Sequence, residues 1–225
     1  EIADFCANKL SEHCILTEQN HAFWLANDLI NNYLVHPPVS SGLNLYSGKA
    51  GIALFLNHYS QINKELPASN INHIKLIAND IRQEFHDHFS KSSIQSMEYS
   101  SVPLGICGIG GFLITFKCLG FPELNCNLIE IICVDSIKTD RNLDFIAGAC
   151  GCVGPLLTTS SQKSLDLAYQ ACIRIKDMQD ISGAWDINPS FSKLISFAHG
   201  TSGFIAALVR CALTLHTDEF DLAIK

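Results

Sequence analysis

Phe197-Ala198-His199-Gly200-Thr201-Ser202-Gly203 leads directly into the apolar run Phe204-Ile205-Ala206-Ala207-Leu208-Val209. A polar turn carrying a histidine thus sits between two apolar segments. Three stretches upstream share its form. Tyr46-Ser47-Gly48-Lys49-Ala50-Gly51 runs into Ile52-Ala53-Leu54-Phe55-Leu56. Ile106-Cys107-Gly108-Ile109-Gly110-Gly111 runs into Phe112-Leu113-Ile114, and Phe145-Ile146-Ala147-Gly148-Ala149-Cys150-Gly151 into Cys152-Val153-Gly154. A lone Gly-x-x-Gly carries no information. Here Gly48/Gly51, Gly105/Gly108/Gly111, Gly148/Gly151/Gly154 and Gly200/Gly203 account for ten of the 14 glycines. The four turns also share their flanks, which reads as an internal repeat.

The segments between the turns complete the unit. Pro67 and Ser69 open a helix with Ile71, Ile74, Ile77, Ile81, Phe85 and Phe89 at helical spacing. Pro122 opens another with Leu124, Leu128, Ile131 and Ile132, predicted to run to Ile137. Residues 164–178 place Leu165, Ala168, Cys172 and Ile175 on one face. Nearer the start, residues 1–19 read as a leading helix and a turn, and residues 21–34 as an amphipathic helix stopped by Pro37-Pro38. Thr217-Asp218-Glu219 reads as the cap of a further helix. Each unit is therefore an amphipathic helix, a loop, a glycine turn and a more apolar helix. The all-round apolar helix should be buried on both sides and the amphipathic one should face solvent. Such pairs stack as a solenoid or close as a two-layer α/α barrel, with the glycine turns gathered at one end. The expected class is all-α.

Composition agrees with a buried, helical chain. Of 225 residues, 48% are apolar and 16% charged, and the net charge is −7. Nucleic-acid and anionic-membrane partners would need a basic face, which is missing. The long uncharged run of residues 99–116 is broken by Pro103 and four glycines and makes a poor membrane span. The ten cysteines show no framework and read as reduced, mostly core thiols. That places the chain in the cytoplasm.

Taken together, the motifs resemble the lanthionine synthetase C-like cyclases, and more closely the cyclase domain of class II lanthipeptide synthetases. The matching stretches are Leu45-Tyr46-Ser47-Gly48-x-x-Gly51-Ile52-Ala53-Leu54-Phe55-Leu56, Gly108-x-Gly110-Gly111, Asp144-x-x-x-Gly148-x-x-Gly151 and Phe197-x-His199-Gly200-x-x-Gly203, with Trp185 and Ala207-Leu208-x-Arg210 alongside. The resemblance implies a toroid of seven helical hairpins. Residues 1–225 supply about four of them and the start of a fifth, so the chain reads as the N-terminal part of such a domain, truncated at its C-terminus. It implies thioether ring formation, in which a Cys thiol of a precursor peptide adds to dehydroalanine or dehydrobutyrine. The implied partners are that precursor with its leader and a dehydratase domain or protein.

By the same resemblance, Asp144 and His199 are the catalytic residues. Asp144 steers the thiol proton and His199 protonates the enolate at the α-carbon. The family's zinc is held by a Cys in a Trp-Cys-x-Gly turn and by a Cys-His pair in a Cys-His-Gly turn, and this chain has neither motif. From the residues alone, Asp144 also reads as a loop or cap carboxylate and His199 as a histidine that caps the following helix or satisfies a buried carbonyl. A zinc site from Cys107, Cys150 and His199 is a further reading, against small core thiols packed under the glycine turns. His86-x-His88 reads as a solvated helix face and Trp185 as a loop anchor. Two other functions stay open: a zinc-free peptide-binding or scaffold remnant, and an α/α-barrel glycosidase, which needs paired carboxylates that only Asp144 and Asp186 offer.

Overall fold

A computed structural model describes residues 1–19, 21–26, 39–40, 42–62, 71–73, 75–77, 79–80, 82–83, 102–132, 134–159, 161–186 and 193–224. The chain divides into two compact units, Glu1–Ser93 and Ile94–Lys225. The described residues are mostly helical, as the repeat predicts. None of their helices is long and apolar enough to cross a membrane.

The first unit begins with α1 (Ile2–Glu12) and two short antiparallel ribbons, β1 (Ile15–Leu16) with β2 (Ala22–Phe23) and β3 (Leu25–Ala26) with β4 (Val39–Ser40). The first glycine turn then feeds α2 (Lys49–Ile62), which packs on α1. The described residues between 71 and 83 are helical, as predicted, while Ile74, Ile81, Phe85, Phe89 and the His86-x-His88 pair lie outside the described residues. The expected helix from residue 21 is corrected over residues 21–26, which form the ribbons. Backbone groups there are already engaged: Thr17 N–H donates to His21 O at 3.0 Å, and Ala22 pairs with Leu16. Ala22 and Trp24 are buried while Leu25 is exposed, and the Trp24 indole N–H donates to Leu10 O of α1 at 2.7 Å. The rest of that expected helix, and Pro37-Pro38, lie outside the described residues.

The second unit is two layers of helices. α3 (Ile109–Leu119), α6 (Ala149–Leu157) and α8 (Thr201–Leu215), each following a glycine turn, form one row in which α6 touches both neighbours. The second layer comprises α4 (Pro122–Ile131) on α3, α5 (Val134–Thr139) on α7, α7 (Gln162–Asp177) against α6 and α8, and α9 (Asp221–Ile224) on α8. Burial follows the amphipathic argument. α6 buries Ala149, Cys150, Gly151, Cys152, Val153, Pro155 and Leu156 all round, whereas α7 buries a single stripe of Ser164, Leu167, Ala168, Ala171, Cys172 and Ile175. Leu165, expected on that stripe, is only half-buried.

The ends of these helices follow from sequence as well. Ser161 caps α7 by accepting from Ser164 N–H, and Gly120 ends α3 in the left-handed region at φ 78°. The helix predicted from Pro122 to Ile137 is interrupted. Ile132 turns extended at ψ 114°, and α5 restarts at Val134. Ile131, Ile132 and Val134 are β-branched and hold a helix weakly, and Ile132 is buried by leaving it.

Candidate functional site

The second, third and fourth glycine turns are stitched side by side by their backbones. Leu104 N–H donates to Ala147 O at 3.0 Å, Ile106 N–H to Phe145 O at 3.2 Å and Cys107 N–H to Ile146 O at 2.9 Å. Phe145 N–H then donates to Ala198 O at 3.0 Å. This contact is why glycine recurs. A Cβ on Gly151 would stand 2.0 Å from Phe145 O and 2.8 Å from the Cα of Gly105. Turns that touch backbone to backbone have no room for it.

Three of the four turns are also tied within themselves, by a side chain four residues ahead of Gly48, Gly148 and Gly200. Asn44 Oδ1 accepts from Ser47 N–H at 2.7 Å, Asp144 Oδ1 from Ala147 N–H at 2.7 Å, and Ser196 Oγ from His199 N–H at 3.3 Å. The second turn has Leu104 at that position, and its Cys107 N–H goes to the neighbouring turn instead. This shared Asx or Ser device was present in the sequence and goes beyond the glycine pattern.

Asp144 uses its other oxygen across the repeat. Its Oδ2 lies 2.7 Å from Nδ1 of His199, while Oδ1 also accepts from Gly148 N–H at 3.1 Å. The two predicted site residues are thereby brought together. A carboxylate only accepts, so Nδ1 of His199 carries the hydrogen and Nε2 is left for other work. Asp144 is mostly covered, at 16% exposure, and His199 is half open at 51%. The capping role weighed for Asp144 is real for its own turn. The N-terminus of α6 is held by Asp140 instead, whose Oδ2 accepts from Ala149 N–H at 2.6 Å.

The thiols around the pair are engaged. Cys150 is buried and its S–H donates to Gly203 O at 3.1 Å; burial pushes this thiol far up, with Cys152 and Asp144 adding to it. Cys107 is half-buried, and burial followed by the Asp144 charge raises it too. Among the described residues no three His, Cys, Asp or Glu side chains are grouped to hold a metal ion. Cys107, Cys150 and His199 are therefore not brought together as the three-ligand set that zinc takes, and the Cys150 S–H is directed at Gly203 O instead.

Trp185 is the anchor it was expected to be. It is buried, its indole N–H donates to Ile175 O at 2.7 Å, and its ring tilts on Phe204 at 5.2 Å. Asp186, the other carboxylate the sequence offered, is exposed. Sequence reasoning missed Phe145 and Phe197, whose rings meet at 4.8 Å beside the His–Asp pair. The available signal was register, since each stands three residues ahead of the first glycine of its turn.

A comparison with curated proteins finds no match. Residues 40–225 match the family described as lanthionine synthetase C-like protein, which covers all four glycine turns and every helix from α2 to α9. The chain belongs to the lanthionine synthetase C-like family.

Proposed function

We propose that the chain serves lanthipeptide biosynthesis, closing thioether rings in a dehydrated precursor peptide as class II cyclase domains do. The observation that carries this reading is the contact between His199 Nδ1 and Asp144 Oδ2 at 2.7 Å. In the addition, sulfur forms a bond to the β-carbon of dehydroalanine or dehydrobutyrine, and the π pair moves to the α-carbon as an enolate. One proton leaves sulfur and one arrives at the α-carbon. An imidazole held by Asp144 through Nδ1–H has Nε2 free to take the first proton and deliver the second. Asp144 keeps the ring oriented and matches the charge that the imidazolium gains. Members of the family use zinc to make the thiolate. The described residues supply no ligand set for it, and in this reading the imidazole carries the proton path.

The substrate requires prior loss of water from Ser or Thr side chains, so a dehydratase acts before this step. The cytoplasm, where a ribosomal precursor is made and thiols stay reduced, is the compartment that suits it. A second reading is a peptide-binding member of the same fold without ring-closing activity. It is favoured by the described residues bringing no three His, Cys, Asp or Glu side chains together as a metal-ligand set.

Incubation with a dehydrated precursor peptide, alkylation of the remaining thiols and mass measurement separates the two. Ring formation by the chain, slowed about 10²–10⁴-fold in His199→Ala, supports the enzyme. Peptide binding with an unchanged thiol count in the wild type supports the scaffold instead.

A further inference from the structure

A groove of about 470 Å³ runs along α3, α6 and α8, within the size range of ligand sites (about 300–1,000 Å³). Its wall begins with Phe145 and Phe197, the first directly after Asp144 and the second two residues before His199, so the groove starts at the two turns that carry the His–Asp pair. Ile114, Pro155, Ala206 and Ala207 continue the apolar lining. Among the described residues no Asp or Glu lines it, although the chain carries a net charge of −7. Two cations do. Lys117 Nζ donates to Thr158 O at the end of α6, at 2.9 Å. Arg210 is exposed and has no acceptor among the described residues. A Cβ placed on Gly154 would lie 3.8, 3.9 and 3.9 Å from the Nη1, Cζ and Nε atoms of Arg210. Near-equal distances mean that the guanidinium plane lies face-on to α6 at a position without a side chain. Its donor edges are thereby left for a ligand.

We propose that this groove binds an acidic, apolar-flanked segment of a peptide: Arg210 takes the carboxylate in a two-point hydrogen bond while the aromatic pair and α6 cover the neighbouring side chains. That the ligand is a peptide rests on the function proposed above; the cation and the apolar walls belong to the groove itself. A planar fork suits a carboxylate in a way a point charge does not.

The test uses the whole chain and two fluorescein-labelled octapeptides with a Leu-Glu-Leu or a Leu-Gln-Leu centre, with binding read by fluorescence anisotropy. The Glu peptide should bind about tenfold tighter, as expected for one charge-assisted hydrogen-bond pair. Arg210→Gln should bring both peptides to the weaker value with helicity unchanged by circular dichroism, and Phe197→Ala should weaken both alike. Equal affinities in the wild type, binding of neither peptide, or a Glu preference that survives Arg210→Gln would overturn the proposal. The wild-type comparison stands by itself should a variant misfold. A Glu preference without ring formation keeps the groove and removes the cyclase, while ring formation with charge-blind binding does the reverse.

Discussion

At the scale of single residues, Asp144 does two jobs with two oxygens. Oδ1 closes its own turn onto Ala147 and Gly148, and Oδ2 holds His199, 55 residues away. In Asp144→Asn the amide oxygen can still close the turn, but the group facing Nδ1 becomes a donor. The neutral ring should then shift its hydrogen to Nε2 and lose the acceptor the proposed chemistry needs. Long-range ¹H–¹⁵N spectra of the His199 side chain check this: Nδ1–H in the wild type and Nε2–H in the variant are expected, and an identical tautomer in both would contradict it. The two residues were legible in the sequence as members of the repeat. Their contact was not, because it depends on how the backbone of one turn seats on the next. A second acid was not legible at all. Asp80 is buried and accepts from Ala22 N–H at 3.0 Å, pairs with His21 Nδ1 at 2.6 Å and faces Lys49 Nζ at 3.7 Å. Asp80→Ala leaves those groups unanswered and should cost roughly 3 kcal/mol in urea unfolding. A loss under about 0.5 kcal/mol, the usual size of a neutral surface change, would show the network to be idle.

At the scale of elements, the glycines of the turns and those of the helix ends make different demands. Gly151→Ala drives a Cβ into backbone that carries both the turn-to-turn ladder and the residue after Asp144. We expect at least about 2–3 kcal/mol of destabilisation and a matching loss of the His199–Asp144 contact. Gly120 sits at φ 78° with open space around it, so Gly120→Ala should cost only about 1 kcal/mol. Gly154 meets only Arg210 at ordinary contact distance, and Gly154→Ala should be near neutral. Chemical denaturation of the three variants should rank them in that order; a Gly151→Ala protein as stable as Gly154→Ala would undo the close-approach argument. Helix positions were well read from apolar spacing, because α3, α6 and α8 carry strong runs after clear turn signals. The ribbon at residues 15–26 was misread because Ala22, Phe23, Trp24 and Leu25 satisfy a helical and an alternating pattern equally well. Hydrogen bonding from Thr17 and the Trp24 anchor on Leu10 decide between them, and neither is visible in local sequence.

At the scale of the molecule, the two-layer order of the second unit was legible from the alternation of all-round apolar and one-sided helices, since burial demands it. The division at Ser93 was not, for the repeat runs across it. The apolar layer stores thiols in its core. Burial pushes Cys152 up to about 12, with the Asp140 charge adding to it, and raises Cys150 further. Their protonated forms are favoured by folding. The thiols' contribution to stability should therefore be constant below about pH 9 and fall as pH rises from there towards about 12, because the unfolded chain loses protons that the folded chain keeps. The slope is up to about 1.4 kcal/mol per pH unit for each such thiol. Urea midpoints at about pH 8 and about pH 10.5 check this. Cys152→Ala should be measurably flatter, and an unchanged slope would place the alkaline loss elsewhere. The central claim is that His199 and Asp144 act as one proton-handling device in ring closure. Its most direct test is a double-mutant cycle on the rate of thioether formation with a dehydrated precursor peptide. We predict that His199→Ala and Asp144→Asn each slow the reaction, and that the double variant is no slower than His199→Ala alone. Rate losses that simply multiply, or a His199→Ala protein that closes rings at the wild-type rate, would contradict it.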